Sequence, residues 1–381
     1  MRWSFRIARL LGIPIYIHLT FLILLPLFAW IFAFQSIRIL AFDLGFGGVD
    51  LSFLAPQVAN AVRWTLGSLA TIFFFASLLL HELLHSYVAI RYGGKVRSIT
   101  LIIFGGVSEI EEIPKQAAAE RNMALAGPAT NFLIAAVGYV GLLLLGPFRG
   151  LSTALEILAV FLSITVFYNL LLGAFNLIPA FPMDGGRVLR ASLLRNHSYL
   201  SATETAATVG KIFAVLFAVV GILFFQFILV LIAVFIYMAA GGEERATKLT
   251  LTLEGIAVNE IMTHEVDTVT SDSTVAELME QIAVERHMGY PVMNGGLQGM
   301  VTFQDAVAVP QDRRDRVRVG DISTKEIVTI EPKAPALDAI KRMSERKIGR
   351  LLVTDGGQLV GILTRTDLMR AVSIYQAQRG L

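Results

Sequence analysis

Between residue 1 and about residue 241 the chain carries six apolar runs near the length, about 20 residues, that spans the hydrocarbon core of a bilayer. They cover approximately 17–36, 65–90, 121–147, 154–178, 205–224 and 226–241, the last two separated only by a tight turn near Gln226. In hydrocarbon every backbone N–H and C=O must find its partner within the protein, so these runs are expected to be helices. The rest of the chain reads like a soluble α/β protein. The boundary falls at Gly241-Gly242-Glu243-Glu244-Arg245, where glycines and charges are expected to end a membrane helix and begin a solvated linker. The predicted fold class is an α-helical membrane protein with six transmembrane helices and a small β-element, over 1–241. A linker over 242–255 and a soluble α/β module over 256–381 follow.

Composition narrows the function. At 55% hydrophobic and 16% charged residues the chain is too apolar for an ordinary soluble protein, which makes the lipid bilayer its first partner. A net charge of +2 gives no global basic field, so nucleic acid is not an expected partner. Cysteine is absent, which excludes disulfides, thiolate nucleophiles and Cys-bound zinc, and leaves His, Asp and Glu to bind any metal. Six spans put both termini on one side. That side would collect three arginines of the N-terminal tail, Arg91, Lys95, Arg97, Lys115 and Arg121 of the second loop, and Arg187, Arg190 and Arg195 of the fourth. The other side has only Arg38, Arg63 and Arg149. By the positive-inside rule both termini and the C-terminal module are cytoplasmic. No small-residue cleavage site follows a short apolar core, so the first run is read as a retained span.

The second run contains His81-Glu82-Leu83-Leu84-His85. Positions four apart share a helix face, about 6 Å along the axis, so both imidazoles can converge on one cation while Glu82 reaches a water beside it. H-E-x-x-H on a helix is the zinc-metalloprotease arrangement. Such matches also arise by chance, but two His and a Glu left unpaired inside a span would each cost roughly a few kcal/mol, and a bound zinc relieves that cost.

A catalytic zinc takes three protein ligands and keeps one position open. After the fourth run comes Asn176-Leu177-Ile178-Pro179-Ala180-Phe181-Pro182-Met183-Asp184-Gly185-Gly186, where prolines break the helix and glycines let the backbone turn around one carboxylate. Asp184 is the expected third ligand; the alternative is an N-cap for a helix starting near Arg187. Under the topology above, both segments lie at the cytoplasmic ends of their spans.

With "HELLHSYVA" in the second span, "FNLIPAFPMDGGRVLRA" after the fourth, "LAGPATN" opening the third and "FGG" between, the chain resembles the site-2 protease family of intramembrane metalloproteases. The match is to its six-span prokaryotic branch with C-terminal CBS domains. The resemblance implies His81, His85 and Asp184 as zinc ligands and Glu82 as general base. Asn176, at a polar position of the family motif, either hydrogen-bonds the substrate backbone or the developing oxyanion, or satisfies backbone groups at a helix end. The stretch "SITLIIFGGVSEIEEI" looks extended. Its edge around Gly105 and Gly106 would capture an unwound substrate segment by main-chain hydrogen bonds, with plain packing as the alternative. His18 is read as a solvated interfacial histidine rather than a proton sensor.

From residue 256 the sequence repeats with a period near sixty, over 256–309 and 318–375. Gly299, Thr302 and Asp305 of "GLQGMVTFQDAV" align with Gly361, Thr364 and Asp367 of "GQLVGILTRTDLM", and Tyr290-Pro291 with Arg350-Leu351. Each repeat reads as strand, helix, two strands, helix. This resembles a tandem CBS pair, which implies clefts for an adenosine nucleotide, ATP or AMP, held by Thr302, Asp305, Thr364 and Asp367. The alternative is a pair that dimerises the chain or stiffens the assembly. The reading reached is a zinc endopeptidase that cleaves membrane-protein substrates in or near a transmembrane segment and is modulated by nucleotide. Its rivals are a CBS-regulated transporter or channel and an inactive scaffold.

Overall fold

The computed structural model describes residues 3–34, 37–39, 42–44, 52, 54–102, 105–110 and 116–379. The chain forms two compact units, Met1–Glu244 and Arg245–Leu381.

The first unit opens with β1 (Ser4–Leu10) and β2 (Ile13–His18), an antiparallel hairpin turning on Leu11 and Gly12, both at positive φ. A 3-10 turn over Leu19–Ile23 leads into α1 (Leu24–Phe34). A small ribbon, β3 (Ile37–Ile39) with β4 (Phe42–Leu44), precedes the long α2 (Pro56–Arg91). The hairpin of β5 (Val96–Ile102) and β6 (Gly105–Ile110) follows, then α3 (Ala117–Leu145), α4 (Thr153–Asn176) and α5 (Asp184–Leu193). The last two helices are α6 (Tyr199–Leu223) and α7 (Phe227–Leu253). Of the predicted extended stretch between the second and third spans, residues 98–102 and 105–110 form β5 and β6, and 103–104 and 111–113 lie outside the described residues. The hairpin completes a sheet of order β1-β2-β5-β6, with β6 on an edge.

Among the described residues five helices, starting at Pro56, Ala117, Thr153, Tyr199 and Phe227, are long and apolar enough to cross a membrane. The expected first span over 17–36 is not a single helix. Residues up to His18 belong to β2, and the apolar helix that follows covers only Leu19–Phe34. Five residues of 3-10 turn and eleven of α-helix reach about 26 Å, close to a hydrocarbon core of about 30 Å. Only Ile17 and His18 of the expected run lie in β2, whose Ile13 and Ile15 are buried while Pro14 and Tyr16 are not, and whose Ile15 and Ile17 pair with Ile99 and Leu101 of the parallel β5. That period-two alternation is masked in a run whose other residues are also apolar. Arg6 and Arg9, read as part of a tail, stand on β1. His18 caps the 3-10 turn, its Nδ1 accepting from the Thr20 amide at 3.3 Å.

The expected helix end near Gly241 also moves. α7 continues through Gly241 and Gly242 to Leu253, across most of the predicted 242–255 linker. A glycine costs a helix about 1 kcal/mol relative to alanine, which is not enough to stop one with other support. Here Glu243 pairs with Arg190 at 3.3 Å and Glu244 with Lys211 at 2.7 Å.

Small residues bring the helices of the first unit together, as is usual where lipid supplies no hydrophobic drive for association. A side chain at Gly67 would strike the Ala29 carbonyl and Ala33 of α1; one at Gly173 would press on Phe132 and Asn131 of α3. Close approach of α2, α3 and α4 lets polar groups meet at their centre.

The second unit holds two copies of one pattern. β7 (Val269–Thr270), α8 (Val275–Glu285), β8 (Gly289–Met293), β9 (Leu297–Thr302) and α9 (Phe303–Val307) form the first, with the short α10 (Val319–Ile322) after it. β10 (Thr329–Ile330), α11 (Ala336–Arg346), β11 (Arg350–Asp355), β12 (Gln358–Thr364) and α12 (Arg365–Arg379) form the second. Both three-stranded sheets have the order strand one, strand two, strand three. α8 and α11 both end on a left-handed residue, Arg286 and Lys347. The pairing corrects one alignment: Gly289 faces Thr302 as Arg350 faces Thr364, so Arg350 corresponds to Gly289, not Tyr290. The two hairpins differ by one residue in length, which shifts any gap-free alignment.

Candidate metal centre

His81 and His85 stand one turn apart on α2, both buried, with their Nε2 atoms 3.0 Å apart. Asp184 reaches the same point from the N-terminus of α5. Its Oδ2 lies 3.0 Å from His85 Nε2 and 3.2 Å from His81 Nε2. Thus the expected third ligand is within bonding reach of both imidazoles, ninety-nine positions away in sequence from the nearer one. Around a tetrahedral zinc, nitrogen and oxygen donors at 2.0–2.1 Å stand about 3.3 Å from one another. This triangle of 3.0–3.2 Å edges, with two nitrogens and one oxygen, fits such an ion and leaves a fourth position open. Burial alone would raise the Asp184 carboxyl, but the imidazoles of His85 and His81 hold it well below the ordinary carboxylate range, as suits an anionic ligand.

Close backbone approach positions the carboxylate. A side chain at Gly185 would overlap the carbonyl of Ile178, and one at Gly186 would lie 2.6 Å from the Phe181 nitrogen. The Asp-Gly-Gly turn therefore folds flat against the loop that precedes it.

α3 supplies the frame. Glu120, Met123, Gly127 and Asn131 recur three or four residues apart, on one helix face. The Met123 carbonyl accepts from His85 Nδ1 at 2.6 Å, and Asn131 Oδ1 accepts from His81 Nδ1 at 2.5 Å. Such outer partners orient ligating histidines and raise their basicity. Between them Gly127 faces the metal triangle: its missing Cβ would collide with His85 Nε2 and stand 2.5 Å from His81 Nε2. Glu120 is paired with Arg190 of α5, its Oε1 accepting from Nε at 2.7 Å, both side chains buried. Arg190 also lies over the rings of Phe181 and Tyr199, 4.9 and 4.6 Å from their centroids. The helix carrying Asp184 is thereby tied to the helix that orients both histidines. In the sequence, no residue of "LAGPATN" carries a role of its own. The available signal was a polar Asn inside an apolar span.

Glu82 points to β6. Ser108 Oγ donates to its Oε2 at 2.9 Å, and a Cβ on Gly106 would overlap Glu82 Cγ and stand 3.0 Å from Oε1. Gly106→Ala is therefore expected to lower cleavage by about 10²-fold by displacing the carboxylate, with zinc content unchanged. Metal analysis beside a cleavage assay checks this; an active Ala variant means β6 moves aside freely. Gly105, also singled out from sequence, sits at φ +123 at the start of the same strand. Asn176 is elsewhere engaged: as the last residue of α4 its amide donates to the Leu172 carbonyl at 3.0 Å.

In the second unit Thr302 and Thr364 each open a helix in a capping box. Their hydroxyls donate to Asp305 and Asp367 at 2.6 Å in both repeats. A cavity of about 340 Å³ lies beside Asp367, lined also by Glu260, Met262, Thr263, Arg370 and Tyr375.

An H-E-x-x-H helix joined by a distant aspartate, inside a bundle with five helices of membrane-crossing length, defines a membrane metalloprotease. Residues 69–158 and 151–219 match the model of peptidase family M50, and residues 258–312 and 319–374 that of the CBS domain. A zinc metalloprotease of Methanocaldococcus jannaschii is 33% identical over 382 residues, spanning 100% of this chain and 99% of its own length. Rip3 of Mycobacterium tuberculosis, also named as a zinc metalloprotease, is 32% identical over 397 residues, 99% of this chain and 94% of that one. The solved site-2 protease from Methanocaldococcus jannaschii is 35% identical, covers 64% of this chain and 96% of its own, and superposes with a TM-score of 0.42. The chain belongs to peptidase family M50, the site-2 protease family of zinc metalloproteases, in a form that carries a tandem CBS pair.

Proposed function

We propose that His81, His85 and Asp184 hold the zinc ion, that Glu82 is the general base, and that the chain hydrolyses a peptide bond in or beside a transmembrane segment of another membrane protein. The meeting of two histidines of α2 with the aspartate of α5, at 3.0 and 3.2 Å, carries the reading. When bound there, zinc supplies Lewis acidity: it polarises a carbonyl and brings the pKa of water toward 7. The chain's own residues do the rest. Ser108 holds Oε2 of Glu82, so the carboxylate meets the attacking water through Oε1, takes its proton and returns it to the leaving amine. A helical substrate must unwind before it can be cut, because its amides are engaged in i to i−4 bonds. The outer edge of β6, at Gly105 and Gly106, offers main-chain groups to the unwound segment. Asn176 would turn from its own helix to the substrate backbone or oxyanion.

The full-length chain in liposomes, with a single-span substrate, tests this. Cleavage is expected to stop with a zinc chelator and return with zinc, and the cut is expected to map within or beside the span. A cut confined to a soluble domain far from the span, or chelator-resistant cleavage, would overturn the reading.

The CBS pair is assigned a regulatory role, with an adenosine nucleotide as ligand. Thr302 and Asp305, and Thr364 and Asp367, would hold ribose and phosphate groups, and the cavity beside Asp367 supports a site there. With the Leu19–Phe34 helix counted as a sixth crossing, the distribution of Lys and Arg puts both termini and this module in the cytoplasm, and the pair also offers a surface for a homodimer. Equal cleavage rates across an ATP titration, with binding shown separately, would remove the regulatory part.

A further inference from the structure

Among the described residues two side-chain amides are buried among the spans, Asn131 at 0% and Asn169 at 1% exposure. Asn169, on α4, touches no metal ligand. It belongs to a chain of bonds that begins at a backbone carbonyl. Asn169 Nδ2 donates to the Thr165 carbonyl at 3.0 Å, and Asn131 Nδ2 donates to Asn169 Oδ1 at 2.9 Å. Asn131 Oδ1 then faces His81 Nδ1. A carbonyl oxygen only accepts, so the direction of every bond is forced. The Thr165 carbonyl requires the Asn169 NH2 toward itself. That turns the Asn169 oxygen to Asn131, which turns the Asn131 oxygen to His81. The imidazole must then carry its proton on Nδ1, leaving a lone pair on Nε2 within the triangle. Reversing either amide would present an NH2 to His81 Nδ1, move the proton to Nε2 and remove the ligand. His85 needs no relay, because its Nδ1 meets the Met123 carbonyl directly.

We propose that Asn169 is a positioning residue for metal binding: grounded on the Thr165 carbonyl, it fixes the orientation of Asn131 and, through it, the metal-binding tautomer of His81. The inference rests on the assignment of His81 as a ligand. Its consequence is a dependence between two positions. An aspartate at 131 accepts at either oxygen, so its orientation toward His81 no longer needs to be set from Asn169.

The test is zinc affinity of the full-length chain in detergent, by chelator competition. Asn169→Leu is expected to weaken zinc about 10- to 100-fold in the native background, the range typical of lost outer-shell partners. In an Asn131→Asp background the same Asn169→Leu change is expected to weaken zinc less than about 3-fold, well below that range. Equal losses in both backgrounds mean that Asn169 merely packs, and no loss in the native background means that it is idle; either overturns the proposal. Should the Leu variants fail to fold, nitrogen-15 spectra of the histidine-labelled, metal-stripped native chain decide it. They are expected to show His81 protonated on Nδ1, and protonation on Nε2 overturns the proposal. His81→Ala separates the underlying reading: if it binds zinc as tightly as the native chain, the ligand assignment itself has failed and the relay falls with it.

Discussion

Glu82→Gln in the full-length chain is expected to keep one zinc per chain and to lose cleavage by at least about 10²–10⁴-fold, the usual contribution of a positioned general base. Glutamine keeps the shape of glutamate and still accepts from Ser108, whose hydroxyl lies 2.9 Å from Oε2. What disappears is the carboxylate that takes a proton. The three atoms of the metal triangle belong to other residues, so their affinity for zinc is expected to stay where it was. Metal analysis and cleavage of a membrane substrate, measured on the same preparation, check both halves. Turnover retained with zinc in place would exclude Glu82 as the base.

Gly127→Ala sets two opposed effects against each other. By intrinsic propensity the change should favour α3 by about 1 kcal/mol, since alanine is the better helix former. At this position, however, the new methyl overlaps His85 Nε2 and stands 2.5 Å from His81 Nε2, where a metal has to sit. Helix backbone cannot yield by that much, so the variant is expected to remain helical and folded, to lose zinc, and to fall to background cleavage. Gly141→Ala on the same helix is the control. Its methyl meets Leu162, with Cδ1 at 3.2 Å and Cδ2 at 3.7 Å, the end of a flexible side chain, and zinc is expected to be kept. Zinc retained by the Gly127 variant would mean that α3 stands farther from the histidines than the structure places it.

The site and the fold were legible to different depths. His81, Glu82 and His85 were readable because their relation is internal to one helix, and 3.6 residues per turn fixes it. Asp184 stands out because glycines and prolines around a carboxylate mark a special turn, while its nearness to both imidazoles is a fact of the tertiary structure. Asn131, Gly127 and Ser108 carried no comparable local mark. Each acts on a residue of another element, and a small or polar residue in a span has many other uses. The start of the first span is not legible in the sequence, because Ile17 and His18 finish β2 while the apolar run continues unbroken into the helix over Leu19–Phe34. The end of α7 was misread because Glu243 and Glu244 find Arg190 and Lys211 on neighbouring helices.

By itself the sequence determined a membrane-embedded chain, two histidines and a glutamate on one helix face, a carboxylate in a glycine turn, and a duplicated C-terminal module. Only the tertiary structure decided which carbonyls and amides hold the imidazoles, why residue 127 has no side chain, and that one face of β6 lies on Glu82. Periodicity and spacing describe a residue relative to its own helix or strand. How deep one helix sits against another, and how far it is rotated, is settled by packing across the whole bundle, and local pattern does not record it.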